Sequence, residues 1–483
     1  MRILLSSVSA AVLVLALTAC TSVPQAMKPE ELPKAFTAPQ PENAENSAVS
    51  AEWWKAFSSD ELTGLVNEAK IGNLDLAIYG ARVEQARAQT GEAWAALFPT
   101  VSAEGTVSRS GSKTTTGGVR RETNANSFGA NLTASYELDF WGKYREKVSA
   151  ARETARAAIF TRDTEWLTVS ADVANAYFSV LAYRDRLNIA RNNVDAAKRI
   201  LAITEAKVKN GASSNLELAQ QTATLRSTEA SIPQYEEYER EARYALAILL
   251  GKTPEGFDVK GTTLDGLSAP PVQPGLPSDL LARRPDIASA EATLKASHAN
   301  LNAARLAFLP SISLTGSGGY SSSAFSNLIS PQNLAWTAGA TALQAIFDGG
   351  TLSSTRDYYK AVEVEEIATY RSTVLSALSD VETALGSTTS LAQRETLITD
   401  QVANAKEAFR ISELQYREGV SDLLTVLDTE QTLFTAQDTL AQIRLARLES
   451  VVGLYRVLGG GWSMDEAKKE TTRNDFNPTA LPF

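Results

Sequence analysis

The sequence predicts an α+β chain in which one unit, a strand hairpin followed by a long helical hairpin, is written twice. Three observations predict it. The 68 residues from Lys143 to Asn210 contain no Gly and no Pro, the residues that most often end a helix. One offset of 208 residues lays much of the first half on the second. Ahead of each long helix, apolar residues alternate with Ser, Thr and Gly, the pattern of strands with two unlike faces.

The chain opens with a basic residue, Arg2, and an apolar run from Ile3 to Leu17, then Leu17-Thr18-Ala19-Cys20. This reads as a signal peptide over 1–19. Its end resembles the bacterial lipobox, in which cleavage before the cysteine is coupled to attachment of diacylglycerol to the sulfur. Cys20 is the only cysteine, so an internal disulfide is excluded. A free mature thiol is the alternative. Thr21 follows where Asp would favour inner-membrane retention, so the expected cofactor state is none beyond a covalent lipid on Cys20, anchored in the outer membrane. Residues 20–60 form the lipid-anchored segment.

Composition narrows the function. The formal charge of −10 speaks against a nucleic-acid partner. After the signal there is no run of about 18 apolar residues, so a mature span must be a closed β-barrel. The single histidine, His298, has no partners to make a metal site, and three methionines cannot form a thioether cluster.

Repeat one covers 61–267. A helix at about Glu61–Ala96 leads to Leu97-Phe98-Pro99-Thr100-Val101 and a strand hairpin over about 99–140. Val101, Ala103, Gly105 and Val107 alternate on one strand and Leu132, Ala134, Tyr136 and Leu138 on the other; the polar stretch Ser108–Ser127 reads as a long loop. The helix of 143–210 would run about 100 Å. Trp166, Val173, Val180, Leu187, Val194, Leu201 and Val208 recur every seven residues, a seam that needs partner helices. By itself that periodicity also fits a solvent-spanning scaffold. Gly211 turns the chain, Ser213 is the expected N-cap, and a return helix covers 213–250, with Pro233 expected to kink or break it.

A Pro-rich linker, 268–277, joins the halves. Repeat two covers 278–462: a helix, a strand hairpin over about 310–347, a long helix 350–418 and a return helix 421–458. Phe308-Leu309-Pro310 matches the earlier Leu97-Phe98-Pro99, Tyr320–Asn333 is the expected loop, and Ser421 is the expected cap after Gly419. The 208 offset pairs Gly211 with Gly419, Leu216 with Leu424, Leu246 with Leu454, and Leu250-Gly251 with Leu458-Gly459. The second seam keeps Val374, Val381, Val402, Phe409 and Tyr416, whereas Thr388 and Glu395 do not fit, and Gly386 lies inside the helix. The tail 463–483 is polar and without motif. Four strands are too few to close a barrel with room inside, and open edges are prohibitive in lipid, so several chains must pool their strands.

The run Pro274–Ile287, with Leu309-Pro310-Ser311-Ile312-Ser313-Leu314, resembles the outer-membrane factors of tripartite efflux pumps. The closest likeness is to the NodT-type lipoprotein branch of the TolC-like family. Tyr136-Glu137-Leu138-Asp139-Phe140-Trp141-Gly142, Tyr416–Val420, Leu423–Gln431 and Leu458–Trp462 carry the same resemblance across the mature chain. It implies a homotrimer whose outer-membrane β-barrel is continuous with a long periplasmic α-helical barrel. It further implies a periplasmic adaptor at the helix tips, an inner-membrane RND-type proton-driven pump beyond it, and no enzymatic activity. Carried over by position, Leu424 and Asp428 would form successive rings at the periplasmic gate, and Tyr416 and Arg417 would tie the second hairpin to its neighbours. The adaptor-contact residues would be Asn210, Gly211, Ala212 and Ser213 on one tip, and Glu418, Gly419, Val420 and Ser421 on the other. A seam role for Leu424, a solvated face for Asp428 and plain turn chemistry at the tips are the alternatives. Two other functions fit the same pattern: a type I protein-secretion duct, or a pore-less structural lipoprotein rod.

Overall fold

A computed structural model describes residues 32–39, 50–268 and 270–464. The signal peptide, Cys20 and most of the tail lie outside the described residues. Repeat one contains α1 (Asp60–Gly72), α2 (Leu74–Ala95), β1 (Thr100–Thr116), β2 (Val119–Leu138), α3 (Lys143–Lys209) and α4 (Asn215–Leu249). Repeat two contains a single turn at Leu280–Arg283, then α5 (Pro285–Leu306), β3 (Ser311–Ser322), β4 (Leu334–Leu343), α6 (Thr351–Arg417) and α7 (Leu423–Val457).

The four strands form one antiparallel sheet in the order β1-β2-β3-β4. Its register puts Val101 opposite Ala134, Ala103 opposite Leu132, Leu314 opposite Tyr136, and Ala340 opposite Leu314. Side chains alternate across a strand, so these residues share one apolar face. Val101, Leu132 and Trp336 on it are more than half exposed. Glu104, Asn131, Ser313 and Thr315 occupy the other face, which is polar. A sheet with both faces uncovered, one apolar and one polar, fits a barrel wall between lipid and water.

The expected long loop at Ser108–Ser127 is wrong. β1 and β2 continue through it to a two-residue turn at Gly117-Gly118, both with positive φ (59° and 80°). Such turns match strand twist and need φ > 0 at both positions. Polarity on both faces there reflects strands with water on both sides, not absence of a ladder; Lys113 and Glu122 even face each other at 3.5 Å. In repeat two the expected loop holds from Ser323, after β3 ends at Ser322, to Asn333.

The first helix of repeat one is two helices. Asn73 interrupts it, capping α2 through Leu76 N and donating to Leu249 O. The interruption lets Gly72 pass against the Leu250 backbone, where a Cβ would sit 2.5 Å from the carbonyl oxygen. Repeat two builds the same crossing: a Cβ on Gly459 would collide with the Arg283 carbonyl, as one on Gly251 would with Gly72.

The main core lies where these crossings meet the middle of α3. Trp53 stacks on Tyr455 at 5.4 Å, and Phe57, Phe178, Val173, Val381, Leu246 and Leu454 are 0–1% exposed. The linker is no free tether, since its Val272 enters that core, as Val259 and Leu264 do just before it. The segment 32–39 is tied to α6, Glu382 accepting from the Thr37 and Ala38 amides at 2.7 Å each. Thr388 and Glu395, judged outside the second seam, lie in it. Thr388 is buried with its hydroxyl donating to Leu385 O, and Glu395 pairs with Arg447 at 2.5 Å. Pro233 does not break α4: it sits on the exposed side, where water can take the freed carbonyl.

Candidate periplasmic gate and helix tips

Both long helices end in the same geometry. After α3, Gly211 (φ 73°) donates to Val208 O and Ala212 to Lys207 O; after α6, Gly419 (φ 80°) donates to Tyr416 O and Val420 to Gln415 O. This is the Schellman pattern, which requires a left-handed residue and therefore favours Gly. The expected N-caps are one residue early. The caps are Ser214, accepting from Glu217 N, and Asp422, accepting from Thr425 N. Ser213 bonds Glu217 and Ser421 the Asp422 carbonyl instead, because two residues, not one, are needed to clear the Schellman turn.

The tip residues are outward. Asn210, Gly211, Ala212, Glu418, Gly419 and Val420 are exposed and Ser213 and Ser421 half-buried. Val420 at 77% and Leu216 at 67% leave apolar surface uncovered beside them.

On α7, Leu423 and Val426 are buried, so the seam within the chain passes through them. Leu424 is 70% exposed and Asp428 is exposed one turn later, on the face turned away from that seam. Leu424 is therefore not an intrachain seam residue. Tyr416 is 2% exposed; its hydroxyl lies 3.1 Å from Thr204 Oγ1 of α3, and Lys207 Nζ stands 4.2 Å over its ring. Arg417 is not brought to this cluster: it is exposed and pairs with Glu418 at 3.1 Å. Beneath them Ala196 and Ile200 of α3 meet Phe409 of α6 and Val426 and Leu433 of α7 in one apolar cluster.

Sequence reasoning missed Thr204 and Glu430. Glu430 is 1% exposed and its carboxyl is pushed up to about 7, chiefly by burial and next by Glu413, with Arg199 opposing. Its signal was available: Leu423, Val426, Glu430 and Leu433 follow helical seam spacing with one charge among them. His298 joins α5 to α6, its Nδ1 2.6 Å from Glu363 Oε1.

Among the described residues no helix is long and apolar enough to cross a membrane; the sheet, apolar on one face and polar on the other, has the form of a barrel wall. Comparison with known proteins agrees. The family model described as "Outer membrane efflux protein" matches residues 65–252 and 276–460. The pyoverdine export outer membrane protein OpmQ of Pseudomonas aeruginosa PAO1 is 38% identical over 86% of this chain and 88% of that protein. The probable efflux pump outer membrane protein TtgC of Pseudomonas putida is 32% identical over 95% and 96%. Among solved structures, the outer-membrane channel OprN superposes with a TM-score of 0.82 at 28% identity, covering 92% of this chain and all of that one. Three chains pool four strands each into an outer-membrane barrel continuous with a periplasmic helical barrel. The family and its structural neighbours are channel proteins. The chain belongs to the outer membrane efflux protein family, the exit ducts of tripartite pumps.

Proposed function

We propose that this duct is the passive outlet for an RND-type, proton-driven inner-membrane pump, joined to it by a periplasmic adaptor that grips the two helix tips. Its cargo is drugs or other small toxic compounds, and its selectivity resides largely in the pump. The observation that carries the reading is the sheet with one apolar and one polar face, set at the end of two 67-residue helices. A lipid on Cys20 holds the first residues of the mature chain in the outer membrane. Leu424 and Asp428 ring the periplasmic entrance, and Tyr416 and Arg417 hold it shut. A pyoverdine-like siderophore is a second cargo, favoured by the 38% identity to a pyoverdine export protein.

Deleting the gene tests the cargo: hypersensitivity to drugs, restored by the intact gene, is expected. Loss of siderophore export at unchanged drug tolerance selects the second cargo, and loss of protein export alone refutes both. Palmitate labelling should vanish in Cys20→Ala. Photocrosslinking from Ala212 and Val420 should capture an adaptor. In planar bilayers Asp428→Ala with Arg417→Ser should raise single-channel conductance; an unchanged value removes the gate from these positions.

A further inference from the structure

Glu430 occupies a seam position of α7, between Val426 and Leu433, and is 1% exposed. Neither of its carboxylate oxygens has a hydrogen-bond partner. A buried polar group is ordinarily paired, and an unpaired carboxylate in an apolar junction is stable only with its proton on. The junction is where the second helical hairpin rests on the first. Ala196 and Ile200 come from α3, Phe409 from α6, and Val426 and Leu433 from α7. The charged groups that act on Glu430 come from the two facing helices: Glu413 of α6 and Arg199 of α3, themselves 3.6 Å apart. The guanidinium pairs with Glu413 and reaches Glu430 only as a charge acting through space. Beside it, the hydroxyls of Ser412 and Thr429 close the α6–α7 contact at 2.6 Å.

The other copy of the repeat supplies a control. The 208 offset places Thr222 of α4 where Glu430 stands, and its hydroxyl donates to Leu218 O at 2.8 Å. Copy one therefore has no carboxyl at this position; the neighbouring Gln221 keeps a buried, unpaired side-chain oxygen, but an amide carries no proton to titrate.

We propose that Glu430 is a proton-operated latch on the second helical hairpin. Protonated, it lets α6 and α7 lie against α3; ionised, it drives them off α3 toward a position where water reaches the carboxylate. The proposal rests on the reading of this hairpin as the gate. A carboxyl buried only in the docked arrangement holds its proton more tightly there. Docking is therefore strongest below the ordinary Glu value of 4.5, weakens as pH rises from there to about 7, and levels off above it. Across that window the docking equilibrium shifts by up to about tenfold per pH unit. The duct seals when the periplasm is acid and loosens toward neutrality.

The test uses the full-length trimer, with spin labels at Ala212→Cys and Val420→Cys for the tip separation and planar bilayers for conductance. In the wild type, separation and open probability should both rise from about pH 5 to about pH 8. Glu430→Gln, neutral at every pH and nearly isosteric, should stay docked and closed throughout. Glu430→Asp should restore the pH dependence. A Glu430→Gln trimer that follows the wild-type curve overturns the latch, as does a wild type whose tip separation ignores pH. Separation that responds to pH through Glu430 while conductance stays flat keeps the latch and refutes the gate. Failure of Asp428→Ala with Arg417→Ser to change conductance strikes the gate alone.

Discussion

At their tips α3 and α6 end on the same left-handed glycine with the same pair of backbone hydrogen bonds, yet the helices that return from them bury different things. Copy one packs Val194 and Ala197 of α3 on Leu225 of α4, and Gln221, fully buried, donates to Ala197 O. Copy two packs the equivalent Ala405 and Leu433 with Phe409, and adds the orphaned Glu430. The difference follows from neighbours. α3 is packed by α2, α4, α5 and α7 along its length, whereas α6 packs chiefly on α7 and α5. One hairpin is set within the wall, and the other closes onto it through Tyr416, Phe409 and Glu430. Both copies have the same turn, and both bury a polar side chain behind it; only the second buries a titratable one, Glu430.

The comparison is broken or sharpened by equivalent substitutions in the two copies. The largest effect is expected at the 208 pair Leu201 and Phe409. Phe409→Ala should cost about 3–5 kcal/mol, and Leu201→Ala less, because Leu201 is only half-buried. Chemical denaturation of the trimer reads both; equal losses would mean the two hairpins are packed alike. Next come the crossings. Gly251→Ala and Gly459→Ala each force a left-handed residue and a clash with backbone, for about 2–4 kcal/mol. Gly211→Ala and Gly419→Ala meet open space and should cost only about 1–2 kcal/mol. Thermal melting separates the two ends of the rod, and a tip glycine as costly as a crossing glycine would contradict the geometry.

Smaller still is the hydroxyl pair that only copy two has, since Tyr416 corresponds to Val208. Tyr416→Phe should cost about 1 kcal/mol and raise conductance, and Thr204→Val should do no further damage on top of it. Additive losses in that double-mutant cycle would uncouple the two residues. The smallest difference lies in the caps. The Thr425 amide and hydroxyl hold the Asp422 carboxyl below its ordinary value of 3.8. Its cap is fully present above that value and is lost as pH falls through the depressed one. Ser214 carries no such charge and should cap equally at both. Amide exchange at Thr425, against Glu217, should show protection lost in acid only in copy two.

The two long helices, the turn glycines, the duplicated plan and the alternation of the strands are legible in the sequence because each is a local rule. The length of α3 follows from the absence of Gly and Pro, and a left-handed turn favours Gly. Strand faces follow from a period of two. What failed was also local reasoning, applied where the partner decides. Ser108–Ser127 looked like a loop because neither face is apolar, but a ladder needs only a matching strand. Thr388 and Glu395 looked unfit for a seam, but a hydroxyl returned to its own helix and a carboxylate met by Arg447 are admitted there. Asn73 looked like helix interior until Leu249 came against it.

Residue order alone determined that this chain is two copies of a rod joined to a two-faced ribbon, because backbone period and glycine permissiveness act over a few neighbouring positions. Only the tertiary structure decided that Leu424 and Asp428 lie outside the packed seam while Glu430, two residues on, lies within it without a partner. The physical reason is that burial belongs to three helices at once: α3, α6 and α7 must meet before a carboxyl on one of them loses its water.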